Sequence, residues 1–155
     1  MQGTKPSKTV WVVLVAAAIL IVAGVFALMV KRMSDSKTQV PAPASGEIVS
    51  TNGMYTIFYK SEIDPIPLNQ IHRWTLHIEK KGAGLALDNA QIMIDGGMPA
   101  HGHGLPTQPQ ATQALGNGNY LVEGMRFNMP GYWVVNFHIT FGHDSDTATV
   151  ELNLR

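Results

Sequence analysis

The chain has 155 residues, no net charge and no cysteine. That length holds one ordinary domain and an appendage, and the missing thiols exclude disulfides, thiolate nucleophiles, iron–sulfur ligation and Cys-type zinc sites. The charge is unevenly spread: residues 1–45 carry five basic groups against Asp35, and residues 46–155 carry six against ten acidic ones, so the larger part offers no electrostatic footprint for nucleic acid.

Residues 1–9 form a short tail with Lys5 and Lys8. Residues 10–30, VWVVLVAAAILIVAGVFALMV, contain no charged or strongly polar side chain. A helix of that length, rising about 1.5 Å per residue, spans a hydrocarbon core of about 30 Å. A cleaved signal peptide would have a shorter apolar run and a small-x-small site after it. Here Leu28, Met29, Val30, Lys31 and Arg32 follow, so the segment predicts an uncleaved anchor in a lipid bilayer. Lys31, Arg32 and Lys37 balance the basic residues on the other flank, and the positive-inside rule gives a near draw. Residues 31–45 read as a linker, in which MSDSKTQVPAPAS (33–45), with Pro41 and Pro43, favours extended polyproline geometry.

From residue 46 the apolar spacing alternates, which predicts strands. YTIFYK (55–60) is the first. IHRWTLHIEK (71–80) puts His72, Trp74, Leu76 and Ile78 on one face and Arg73, Thr75, His77 and Glu79 on the other. AQIMID (90–95) is short. NYLVEGMRF (119–127) has a bulge at Gly124. YWVVNFHITF (132–141) turns Trp133, Val135, Phe137, Ile139 and Phe141 inward, and TATVELNL (147–154) does so with Val150, Leu152 and Leu154. KKGAG, GNGN and GHDSD are turns, and His143, Asp144 and Asp146 fall in the last. Residues 96–118 are one long irregular connection. The expected fold for 46–155 is an all-β, immunoglobulin-like antiparallel β-sandwich, preceded by the single transmembrane helix.

The long connection holds the least ordinary stretch, GGMPAHGHGLPTQP (96–109). In extended chain His101 and His103 point the same way, and Met98 lies close by. Pro99 and Pro106 limit the loop's freedom. Thioether plus imidazole is a soft-to-borderline donor set, which suits copper better than magnesium or calcium. FNMPGYW (127–133) brings Met129, with Met125 nearby; each methionine reads as ligand or as core filler. The histidine pair reads equally as turn polarity. His72 shares a face with Trp74 and Leu76, which reads first as a core histidine and second as a ligand. His77 and His138 point away from the core without partners, and Glu123 and Asp95 lie on or beside strands without an obvious pair. There is no Gly-x-Ser-x-Gly elbow, phosphate loop or dinucleotide fingerprint, and no catalytic constellation; the expectation is a protein that is not an enzyme.

The run from PLNQIHRWTLHI through GGMPAHGHGLPTQP to GNGNYLVEGMRFNMPGYWVVNFHI resembles the YtkA-like domain, which is related to the FixH-like group, over about residues 65–155. The set MP-x-H-x-H, G-x-Y and F-x-M-x-G-x-W carries the resemblance. It implies a small immunoglobulin-like sandwich, exported and often membrane-anchored. FixH-like proteins are associated with assembly of copper-containing haem oxidases and with cation-pump gene clusters, and YtkA-like domains are sometimes joined to periplasmic copper-chaperone domains. Carried onto this chain, the family motif falls on Met98, His101, His103 and Met129, with His72 and Trp74 in an earlier motif. The resemblance places the domain outside the cytoplasm, tethered to a bacterial inner membrane. It implies a copper ion as cofactor and a membrane-bound copper oxidase or transporter as partner. The alternative expectation is a metal-free structural or assembly subunit of a membrane complex.

Overall fold

The structure, a computed structural model, describes residues 44–155; the expected anchor at 10–30 and most of the linker lie outside them. Among the described residues no helix is long and apolar enough to cross a membrane. Ten strands follow in chain order: β1 (Ser45–Val49), β2 (Tyr55–Ser61), β3 (His72–Lys80), β4 (Leu85–Ala86), β5 (Gln91–Met98), β6 (His103–Gly104), β7 (Gln110–Gly116), β8 (Asn119–Met125), β9 (Gly131–Phe141) and β10 (Asp144–Leu154). The helical turn Pro99–His101 separates β5 from β6.

The strands make two antiparallel sheets. One runs β1-β2-β3-β8-β7, with β4 on the end of β3; the other runs β10-β9-β5-β6. The described residues are all-β, and the sheets face each other as a β-sandwich. Trp74 of the first sheet lies 6.3 Å from Phe137 of the second, ring centre to ring centre. The alternation in β3 and β9 builds this layer: Trp74, Leu76, Ile78, Trp133, Val135, Phe137 and Ile139 are fully buried. Truncating one such aromatic to alanine costs about 3–5 kcal/mol.

Three expectations need correction. The connection 96–118 is not irregular; it contains the end of β5, β6 and all of β7. Phe141 is 38% exposed rather than inward, because it pairs with Asp144 where the β9–β10 hairpin closes, beyond the cover of the facing sheet. Asp146 is not a turn residue. It is buried, and its carboxylate accepts the amides of Asn52, Met54 and Thr147. Burial alone would raise its carboxyl, but these hydrogen bonds hold it below the usual range. The expected bulge is present: between His72/Met125 and Trp74/Val122 β8 spends one residue more than β3, at Gly124, whose φ is 83°.

Candidate functional site

The HGH stretch is the tip of a hairpin. Gly97 pairs with Gly104 and Met98 with His103, and the Leu105 amide donates to the Gly96 carbonyl at 3.0 Å. The close approach of β5 and β6 needs glycine: a Cβ on Gly97 would lie 2.0 Å from the His103 carbonyl oxygen. Pro99 opens the helical turn and Gly102 closes it in the left-handed region. Both histidines are thereby held on a short, tied segment.

His101 and His103 are exposed. Their rings are nearly parallel, with centres 6.2 Å apart. Two imidazoles bound to one ion through bonds of about 2.0 Å have ring centres at most about 6 Å apart, so the pair stands at the edge of single-ion reach. As cross-strand partners, Met98 and His103 share a face of the hairpin. Met98 is only 3% exposed. Its methyl packs at Gly131, where a Cβ would come within 2.8 Å of it. Gly131 thus makes room for Met98 beside the turn that carries Met129. Met129 is half-buried against the core, and its carbonyl accepts the Trp133 indole N–H at 3.0 Å. The loop and the 127–131 turn therefore meet at Met98, with the imidazoles on the solvent side. A cleft of about 440 Å³ runs beside the tip, bordered by Asp95, Met98, His103 and Asn136.

His72 belongs to the interior. It is 1% exposed, with ring centres 5.9 Å from Phe127 and 6.4 Å from Trp74. Its Nδ1 lies 3.1 Å from the Gln70 carbonyl. A carbonyl only accepts, so Nδ1 carries the proton and Nε2 holds a lone pair. That Nε2 is buried without a partner, so the ring is half satisfied. Burial pushes the His72 pKa down. Its cross-strand neighbour is Met125, fully buried.

His138 and Asp95 do have partners. His138 Nε2 lies 2.9 Å from Asp95 and its Nδ1 2.9 Å from the Thr147 hydroxyl. The Asn136 amide donates to the other Asp95 oxygen at 2.8 Å. Burial would raise the Asp95 carboxyl, and the bonds from Asn136 and His138 outweigh it. Glu123 pairs with Arg73 at 3.0 Å, and His77 with Glu79 at 2.9 Å. The period-two pattern puts Asp95, Asn136 and His138 on polar faces, but only the β5–β9 register brings them together. Among the described residues no group of three or more His, Asp or Glu side chains is placed to hold an ion.

Residues 59–138, more than half of the chain, match the family model described as YtkA-like. No curated protein and no solved structure matches the chain.

Proposed function

The chain belongs to the YtkA-like family, and we propose that it is a membrane-anchored, extracytoplasmic metal-binding domain of immunoglobulin-like architecture that handles copper. The observation that carries this reading is the hairpin tip: two exposed imidazoles with ring centres 6.2 Å apart, beside a thioether on the same hairpin face. His101 and His103 would hold the ion from the solvent side, and Met98, with Met129 from the facing turn, would approach from the protein side. Without thiolates, this soft set favours Cu(I) over harder divalent ions. Residues 10–30 would tether the domain to the bilayer, and its partner would be a membrane-bound copper oxidase or transporter. The role proposed is binding and delivery rather than turnover.

The test is Cu(I) titration of the chain against a competing chelator, with the histidine ring and methionine methyl resonances followed. Binding tighter than about micromolar, weakened at least about tenfold by His101→Ala/His103→Ala, is expected. Absent binding, or binding unchanged by the double substitution, overturns the reading. The burial of Met98 favours a second reading, a metal-free assembly subunit in which the loop is a packed cap. Met98→Leu keeps the volume and separates the two: copper affinity falls if the thioether binds and is unchanged if it only packs.

A further inference from the structure

Strand β5 is paired along one side only. Gln91 to Gly97 pair with β9 without a break, whereas on the other side only Gly97 and Met98 meet β6. Backbone groups of successive residues turn to opposite sides of a strand. The Gly96 carbonyl faces the β6 side, where it accepts the Leu105 amide, so Ile94 and Ile92 also turn their N–H and C=O to that side. Among the described residues no strand pairs with them there. The ends of this open row are closed: Gly96 is engaged by Leu105, and the Ala90 amide donates to the Tyr120 hydroxyl at 2.8 Å. Ile92 and Ile94, between them, have both backbone groups free on this side.

The edge lacks most of the usual protections. QIMID (91–95) carries no lysine, proline or bulge. Met93 on its outer face is 72% exposed. Ile92 and Ile94 on its inner face are only partly covered, and a cleft of about 480 Å³ opens between them and residues 108–111.

We infer that this edge pairs with the same edge of a second copy of the chain, antiparallel, with the two-fold axis at Met93. In that register Ile92 faces the second copy's Ile94 on both sides of the axis, so each pair exchanges two backbone hydrogen bonds. Shifting two residues either way sets a free isoleucine against Ala90, whose amide is engaged, or Gly96, whose carbonyl is engaged. The register at Met93 alone uses both free residues. It also places Asp95, the one charge of the stretch, opposite Gln91 rather than opposite itself, and like charges directly opposed would destabilise the pairing. The partly covered isoleucines of the two copies close over one another.

The absence of native cysteine makes the register directly readable. Met93 opposite Met93 is a pair without backbone hydrogen bonds, with Cα atoms about 4.5 Å apart, inside the range a disulfide spans. Met93 is solvent-facing, so Met93→Cys leaves the core intact. The full-length chain carrying Met93→Cys, oxidised in detergent, is expected to form covalent dimer at least about tenfold faster than Leu115→Cys or Leu85→Cys, exposed controls on β7 and β4, because pairing raises the effective concentration of the two thiols. Gln91→Cys mixed with Asp95→Cys is expected to give the mixed disulfide in preference to either homodimer. Cross-linking at position 93 no faster than at 115 and 85 overturns the pairing. A preference of Gln91→Cys for itself over Asp95→Cys overturns the register.

Discussion

His72 should make the domain lose stability as the pH falls through the mildly acidic range. Its Nδ1 proton is bonded to the Gln70 carbonyl and its Nε2 is sealed without an acceptor. Protonating the folded ring would create a buried donor with nothing to bind. The folded pKa is accordingly lowered from an unfolded value of about 6.5. The unfolded chain therefore takes up this proton first: the stabilisation is complete above about pH 6.5 and is lost as the pH drops below it. For as long as the folded ring stays neutral, the loss approaches about 1.4 kcal/mol per pH unit, the limiting slope for one proton. In urea unfolding of the 44–155 fragment that slope corresponds to a midpoint falling by about 0.5–1.4 M per pH unit. The comparison is His72→Gln, which keeps a donor for the Gln70 carbonyl but does not titrate. The variant starts less stable, having lost its ring contacts, yet its midpoint should fall less steeply between pH 6.5 and 5. The other five histidines are common to both proteins and cancel. Parallel midpoint–pH curves would refute the account of His72 as a neutral, half-satisfied core residue.

Asp146→Ala strands the Asn52 and Met54 amides and should lower stability by about 2–4 kcal/mol, since bonds to a buried charge are each stronger than neutral ones; thermal unfolding reads this. Gly97→Ala drives a Cβ onto the His103 carbonyl; a cost of about 1–3 kcal/mol and faster amide exchange at residues 97–105 are expected, with the far β3–β4 end unaffected. Tyr120→Phe removes bonds to the Leu87 carbonyl and the Ala90 amide and should cost about 1–2 kcal/mol by chemical denaturation.

The strands legible in the sequence are those whose faces differ. In β3, β9 and β10 each buried residue is followed by a more exposed one, and the hydrophobic pattern reports that difference. β7 is exposed at almost every position and β1 has no fully buried residue. As edge strands, each has backbone pairing on one side to fix it and no apolar stripe to announce it. The β5–β6 hairpin was hidden for another reason: its glycines and prolines are turn formers by composition, yet here Gly96 and Gly97 let backbones come close within a sheet. Residue type also singled out Met98, His101, His103 and Met129 as candidates, and the resemblance to the YtkA-like domain put them in one set. Neither gave a sign that Met98 would be buried while the imidazoles stayed in water. The His138–Asp95 contact joins residues 43 apart, and such a pair follows from strand register, which a single sequence does not state.

The two indoles of the 44–155 fragment give this end of the sandwich an optical readout. The chain has three tryptophans, and Trp11 falls in the expected anchor. Trp74 and Trp133 are both fully buried, and Phe127 lies within 6.3 Å of the first and 5.3 Å of the second. The intrinsic fluorescence of the fragment thus arises beside His72 on one side and from the indole that clamps the Met129 carbonyl on the other. An imidazolium forming at His72 would quench Trp74, and any movement of Met129 would free the Trp133 N–H and shift its emission. Proton uptake and loop rearrangement can be followed as two spectral changes, without a label, by retaining one tryptophan at a time.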